Sequence, residues 1–111
     1  MNKDKLNLNQ RPIPDAALRD ENSVEMLRVW IAERKLHCSI KIGMYQEKMN
    51  IPEEKAWGTI LADVARHVSN AVLESGYSTS SEESLKKIRE FFIQELEKPS
   101  SKAEGGFVKK H

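Results

Sequence analysis

A chain of 111 residues and 12.7 kDa has room for one domain with a modest hydrophobic core. Its 18 Lys and Arg against 17 Asp and Glu leave a formal charge of +1, which excludes a strong overall field for nucleic acid, anionic lipid or acidic substrates. No run approaches the ~18 apolar residues of a membrane span, and residues 1–10 lack the apolar core of a secretory signal. With a single cysteine, Cys38, these features predict a cytoplasmic protein without membrane contact.

The first 23 residues are polar and contain Pro12 and Pro14. They have no periodicity beyond one possible helical turn from Asp15 to Leu18. We therefore predict that residues 1–23 form an N-terminal arm rather than part of the core.

Two alternating runs between Val24 and Tyr45 predict an antiparallel β-hairpin. Folding the chain at Arg34-Lys35 gives three apolar cross-strand pairs, which are Leu27–Ile42, Val29–Ile40 and Ile31–Cys38. One face of the hairpin is then apolar. Because a two-stranded hairpin is marginal in water, this face requires a covering helix and the free edges require partners.

Two helices are predicted after the hairpin. Asn50 and Glu53 resemble a capping box, and Gly76 is a stop signal, so the first helix is expected from about 51 to 75. Ser80 and Glu83 repeat the capping pattern before a second helix that ends before Pro99. Residues 99–111 lack periodicity and are predicted to be a flexible tail.

The first predicted helix has an apolar stripe and, beside it, a stripe of small residues. The apolar stripe is Trp57, Ile60, Leu61, Val64, Val68, Ala71 and Val72, and we expect it to cover the hairpin. The small stripe is Gly58, Ala62, Ala65 and Ser69. A glycine inside a helix costs about 1 kcal/mol relative to alanine, so close packing of the second helix or of another subunit is expected there.

The other flank of this helix is a candidate ligand or interface site, formed by Asp63, Arg66, His67 and Asn70. The spacing of Asp63 and His67 would let a carboxylate orient an imidazole, as in a general base or a metal site. Polar helix flanks often contain such pairs without a catalytic role, and Arg66 is close enough to pair with Asp63 instead. No serine, threonine or cysteine stands at a spacing typical of a catalytic nucleophile. His37, Cys38, Asp63 and His67 lack the tight spacings of zinc sites. No catalytic residue, metal or cofactor is assigned.

The outer face of the predicted hairpin is a second candidate binding surface, formed by Arg28, Trp30, Lys41 and Tyr45. Aromatic and basic side chains together can stack bases and hold phosphates, which is typical of proteins that bind single-stranded nucleic acid. Cover by residues 1–23 or by a second subunit is the stronger alternative on a chain with so little net charge. In the predicted register Arg28 faces Lys41.

Three segments resemble a small bacterial group of uncharacterised proteins, the domain-of-unknown-function family numbered 5076. They are residues 24–30 (VEMLRVW), 56–58 (AWG) and 61–67 (LADVARH). The resemblance covers about 24–71 and places interest on Trp57, Gly58, Asp63, Arg66 and His67. It implies no activity, substrate or cofactor.

The predicted fold is α+β, an antiparallel hairpin followed by two α-helices (ββαα) within one domain at 24–98. The leading functional interpretation is a small non-catalytic interaction or scaffold protein that forms a homo-oligomer, with a dimer favoured. Two geometries are open for this dimer: hairpin edges that pair and extend the sheet, or small stripes that pack on each other. Two alternatives stay open: single-stranded nucleic acid binding on the outer face, and a ligand-binding protein or enzyme that uses Asp63 and His67.

Overall fold

The computed structural model describes residues 8–108, which form an α+β fold with a three-stranded sheet. Its elements in chain order are α1 (Asp15–Arg19), β1 (Leu27–Ala32), β2 (Lys35–Lys41), α2 (Met44–Met49), α3 (Glu53–Glu74), α4 (Ser81–Glu97) and β3 (Glu104–Val108). The predicted hairpin and the two long helices are present. The ββαα description is too simple, because α1, α2 and β3 are additional elements.

The hairpin register differs from the predicted one by two residues. The observed inner-face pairs are Leu27–Ile40, Val29–Cys38 and Ile31–Leu36. The turn consists of Glu33 and Arg34, whose φ angles of 53° and 65° give the left-handed pair of a two-residue turn that matches strand twist. The apolar face is retained, because a slip of two residues keeps every side chain on its side of the sheet.

A change of backbone direction at Gly43 ends the hairpin earlier than predicted. Gly43 has φ 101°, a left-handed conformation that stops the strand and precedes α2. Met44 and Tyr45, which we predicted to continue the second strand, lie in this short helix instead. Helix α2 ends at Met49, and the next residue, Asn50, is also left-handed at φ 54° and donates its backbone N–H to the Tyr45 carbonyl.

The predicted tail contributes a third strand. Strand β3 pairs in parallel with β2, with Gly105 beside Cys38 and Phe107 beside Ile40, so the sheet is mixed rather than antiparallel. Gly105 has φ 129°, and a Cβ atom there would overlap the Cys38 backbone. Glycine therefore permits the close approach of β3. The end of the predicted tail, 109–111, lies outside the described residues.

The long helices begin and end close to their predicted positions. The hydroxyl of Ser80 caps α4 by accepting the Glu83 N–H at 3.1 Å, as the sequence predicted. The other predicted capping box is wrong. Asn50 is the C-cap of α2, and the residue before α3 is Pro52, whose side chain forms no capping hydrogen bond.

Helices α3 and α4 pack on each other, and neither covers the sheet. Extensive packing in residues 8–108 joins β1 to β2, β2 to β3, α2 to α3 and α3 to α4. Ser69 and Ser84 are buried, whereas many apolar side chains of the sheet and of α3 are exposed. The prediction that the first long helix lies across the hairpin is therefore wrong within one chain. The radius of gyration, 16.4 Å, exceeds the ~13 Å of a compact chain of this length.

Candidate functional site

The polar flank of α3 lies open to solvent. Arg66 forms an ion pair with Asp63 at 3.5 Å between Nη1 and Oδ1, and both side chains are mostly exposed. His67 and Asn70 are exposed on the same helix. None of the four lines either of the two clefts described below. The structure thus pairs Asp63 with Arg66 and leaves this flank of α3 exposed.

The four residues predicted to form the outer-face binding surface do not share one environment in the structure. Arg28 lies opposite Ser39 rather than Lys41, and its guanidinium binds the Glu25 carboxylate through two bonds of 2.9 and 3.1 Å. The predicted opposition of two cations is therefore wrong. Arg28 and Lys41 share a shallow cleft of about 420 Å³ with Val108 of β3. Trp30 lies farther along β1, and Tyr45 is on α2, so the four outer-face residues lie on three different elements.

A larger cleft of about 610 Å³ separates the N-terminal arm from β1. Arm residues 9–14 form one wall, and residues 27–30 of β1 form the other. The arm therefore passes near the outer edge of the sheet without filling the space beside it. The sequence predicted the arm and gave no signal for this cleft.

A polar clamp at the start of α3 was not predicted. The Glu53 carboxylate accepts the backbone N–H groups of Gly43 at 2.7 Å and Gln46 at 3.0 Å, so it caps the start of α2. The Gln46 side-chain oxygen accepts the Glu53 N–H at 3.5 Å in return. The bond from Gly43 is the main cause that lowers the pKa of Glu53 below its ordinary 4.5, with Gln46 and Trp57 adding to it.

The small stripe of α3 is only partly packed. Ser69 is 1% exposed and bonds the Ala65 carbonyl through its hydroxyl at 2.9 Å, and Ala65 is half-buried. Ala62 is exposed, and a Cβ atom added at Gly58 would meet nothing within 4 Å. The close packing expected along this stripe therefore exists at its C-terminal end and is missing at Gly58 and Ala62.

Two apolar surfaces are exposed in the part of the chain that the structure describes. The sheet surface consists of Val29, Ile31, Leu36 and Phe107 on the inner face, with Ile31 74% and Phe107 68% exposed. The helix surface consists of Leu61, Val64 and Val68 on α3, with Val64 46% exposed. Helix α4 adds exposed Phe91, Phe92 and Leu96. Contiguous apolar exposure of this kind marks interaction sites.

Residues 8–108 contain neither a metal-ligand cluster nor a membrane-spanning helix. Between 8 and 108, no group of three or more His, Cys, Asp or Glu side chains is placed to hold a metal ion. No helix in that part of the chain is long and apolar enough to cross a membrane.

Comparison with known proteins identifies the family. A solved structure from the photosynthetic bacterium Rhodopseudomonas palustrus CGA009, provisionally named as a pyruvate dehydrogenase, is 28% identical, with a TM-score of 0.62 over 86% of this chain and 91% of that chain. No curated protein matches the sequence. A family model described as a domain of unknown function, DUF5076, matches residues 10–100. The chain belongs to the DUF5076 family.

Proposed function

We propose that this protein is a non-catalytic interaction protein of the bacterial cytoplasm that works as a homodimer. In this dimer the sheet surface of each copy packs against the helix surface of the other. One observation carries the proposal: the sheet surface and the helix surface, which the sequence pattern predicts to pack together, are separate in the chain. Both are apolar, both are exposed, and they do not meet within one chain.

A second copy is the occupant that fits both surfaces at once. Each copy exposes one apolar sheet surface and one apolar helix surface. In a dimer with a two-fold axis, the sheet surface of each copy can pack on the helix surface of the other, so all four surfaces are covered. A different protein would have to supply both an apolar sheet and an apolar helix. Self-association therefore requires fewer independent complementary features.

The exposed area supports the same occupant. The chain exposes 9897 Å², whereas a compact protein of its mass exposes about 6,200 Å². The excess is larger than one partner's share of an obligate homodimer interface, which totals about 2,000–5,000 Å² over both partners. Burial of even part of it, at about 25 cal/mol per Å² of apolar area, gives a substantial driving force for association.

The enzyme alternative has weaker support. The name of the Rhodopseudomonas structure raises the possibility of catalysis, yet Asp63 pairs with Arg66 and His67 is exposed beside it. General acid–base chemistry requires such groups to converge on a space for substrate. The nucleic acid alternative is similarly weakened, because Glu25 binds Arg28 and Tyr45 is on α2.

Light scattering coupled to size exclusion tests the proposal at tens of micromolar protein. We expect the wild-type mass to be twice 12.7 kDa. Val64→Asp places a charge in the helix surface and should give a folded monomer, whereas Asn70→Asp adds the same charge on the polar flank and should stay dimeric. A monomeric wild type would overturn the proposal.

A mixing experiment distinguishes sheet-on-helix exchange from other dimers. Leu36→Asp damages the sheet surface and Val64→Asp damages the helix surface. A mixed dimer of the two variants retains one intact sheet-on-helix contact, so equimolar mixing should restore dimers that neither variant forms alone. If the sheet surfaces pair with each other instead, mixing restores nothing.

A further inference from the structure

The outer edge of β1 has backbone groups that find no partner within residues 8–108. Strand β1 is at the end of the sheet order, and the Lys41 N–H donates to the Met26 carbonyl at 3.0 Å. In an antiparallel ladder alternate residues exchange bonds with one neighbour, so the even-numbered residues of β1 bond to β2. The N–H and C=O groups of Leu27, Val29 and Ile31 therefore point outward. No backbone bond reaches them from elsewhere in residues 8–108.

This edge lacks the features that normally prevent pairing with another strand. Strand β1 has six residues, contains no proline or bulge, and has only Arg28 as a charged side chain. Residues 9–14 of the arm face this edge across a cleft of about 610 Å³ and form no backbone bond with β1. Exposed edges of this kind are templates for strand addition. The opposite edge, β3, has five residues including two glycines and is the poorer template.

We propose that β1 pairs antiparallel with β1 of a second copy across a two-fold axis at Val29, which joins the two sheets into one of six strands. This inference rests on the proposed homodimer and specifies its axis. The outward groups of Leu27, Val29 and Ile31 would then form six backbone hydrogen bonds between copies. The two apolar sheet faces become continuous, so the partner's helices meet a broader surface.

Side-chain pairing selects this register among the two-fold alternatives. With the axis at Val29, Leu27 lies opposite the partner's Ile31 on the inner face, and Arg28 lies opposite the partner's Trp30 on the outer face. The latter pair brings a guanidinium to an indole, a favourable cation–π contact. An axis at Arg28 would place that side chain opposite the partner's Arg28, and like charges directly opposite are destabilising. An axis at Trp30 would place Leu27 opposite the partner's Glu33 in the turn, so four backbone bonds would form rather than six. An axis at Leu27 or Ile31 leaves even more of the strand without a strand partner.

Cysteine cross-linking tests the axis. Cys38 is opposite Val29 within the chain, so the background variant is Cys38→Ser. Val29→Cys in that background places the two cysteines opposite each other in the dimer. Their Cα atoms would be about 5.5 Å apart, which is within the range of a disulfide. Mild oxidation should give a covalent dimer on a non-reducing gel. Ile31→Cys is the matched control, because its equivalent in the partner lies four residues along the strand, about 14 Å away, and should not cross-link.

The results separate the inference from the proposed function. A wild-type dimer by mass whose Val29→Cys variant does not cross-link, or cross-links less than the Ile31→Cys control, overturns the β1 pairing and leaves the homodimer standing. A wild-type monomer overturns both. Amide exchange provides a readout without substitutions at the edge: the Val29 amide should be protected in the wild type and exchange at least tenfold faster in the Val64→Asp monomer. A freely exchanging Val29 amide in the wild-type dimer also overturns the pairing.

Discussion

The Glu53 carboxylate accepts the Gly43 N–H at 2.7 Å, across the ten residues that connect the end of the hairpin to the start of α3. Gln46 returns a bond to the Glu53 backbone, so the starts of α2 and α3 are tied together. This clamp therefore links the end of the hairpin to the first turn of α3.

We expect Glu53→Gln to lower the thermal midpoint at pH 7, because a neutral amide is a weaker acceptor for the two N–H groups. The backbone bonds lower the pKa of Glu53 in the folded protein. A lowered pKa means that the stabilisation is fully present above the ordinary value of 4.5 and is lost as the pH falls through the lowered pKa. The difference between wild type and variant should accordingly shrink in acid.

Thermal unfolding by circular dichroism between pH 3 and pH 7 measures this difference. Glu54→Gln is the matched control, since Glu54 is also acidic in the first turn of α3 and has the same relation to the helix dipole. An equal loss in both variants would mean that the clamp contributes nothing beyond the charge of the first turn.

Gly105→Ala should detach β3 from the sheet. The new Cβ would overlap the Cys38 backbone, and the φ of 129° is unfavourable for alanine. Loss of β3 removes the 2.8 Å bond from the Ile42 N–H to the Val108 carbonyl and the Lys35–Glu104 ion pair. The amide of Ile42 should then exchange more than about tenfold faster. Gly106→Ala, where a Cβ meets nothing within 4 Å, should leave that exchange rate unchanged.

The hairpin turn explains why the register was predicted two residues away from the observed one. Glu33 and Arg34 adopt left-handed angles that Asn and Gly adopt more readily, so the sequence lacked the usual turn signal. Helices α3 and α4 were predictable, since long periodic stretches and the Ser80 cap are local features. Strand β3 was not, because its pairing with β2 depends on contacts more than sixty residues apart in sequence.

The candidate site shows the same division between local and distant information. The four-residue spacing of Asp63 and His67 was correctly placed on one helix, but spacing cannot tell whether another element closes over that flank. The clamp at Glu53 was missed because Gly43 was assigned to a continuing strand. The helix formers after Gly43, and Asn50 seven residues later, were the available signals for α2.

Replacing the turn pair tests this explanation. Glu33→Asn with Arg34→Gly should raise the free energy of unfolding by about 1 kcal/mol, because both new residues relieve the left-handed backbone. Urea unfolding at a fixed protein concentration measures the change. Glu33→Asn with Arg34→Asn is the intermediate variant and should give a smaller gain. If neither variant gained stability, the left-handed backbone at Glu33 and Arg34 would not be destabilising the wild-type protein.

Gly58→Ala distinguishes the proposed dimer from one that packs through the small stripe. In the chain the added Cβ meets nothing within 4 Å, and alanine is better than glycine inside a helix by about 1 kcal/mol. If the partner packs on Leu61, Val64 and Val68 instead, the variant should gain about 0.5–1 kcal/mol in unfolding free energy with an unchanged dimer dissociation constant. A dimer held by close packing at Gly58 would dissociate more readily in Gly58→Ala and more readily still in Ala62→Leu. Unfolding and dilution measurements on the same two variants therefore decide which face of α3 meets the second copy.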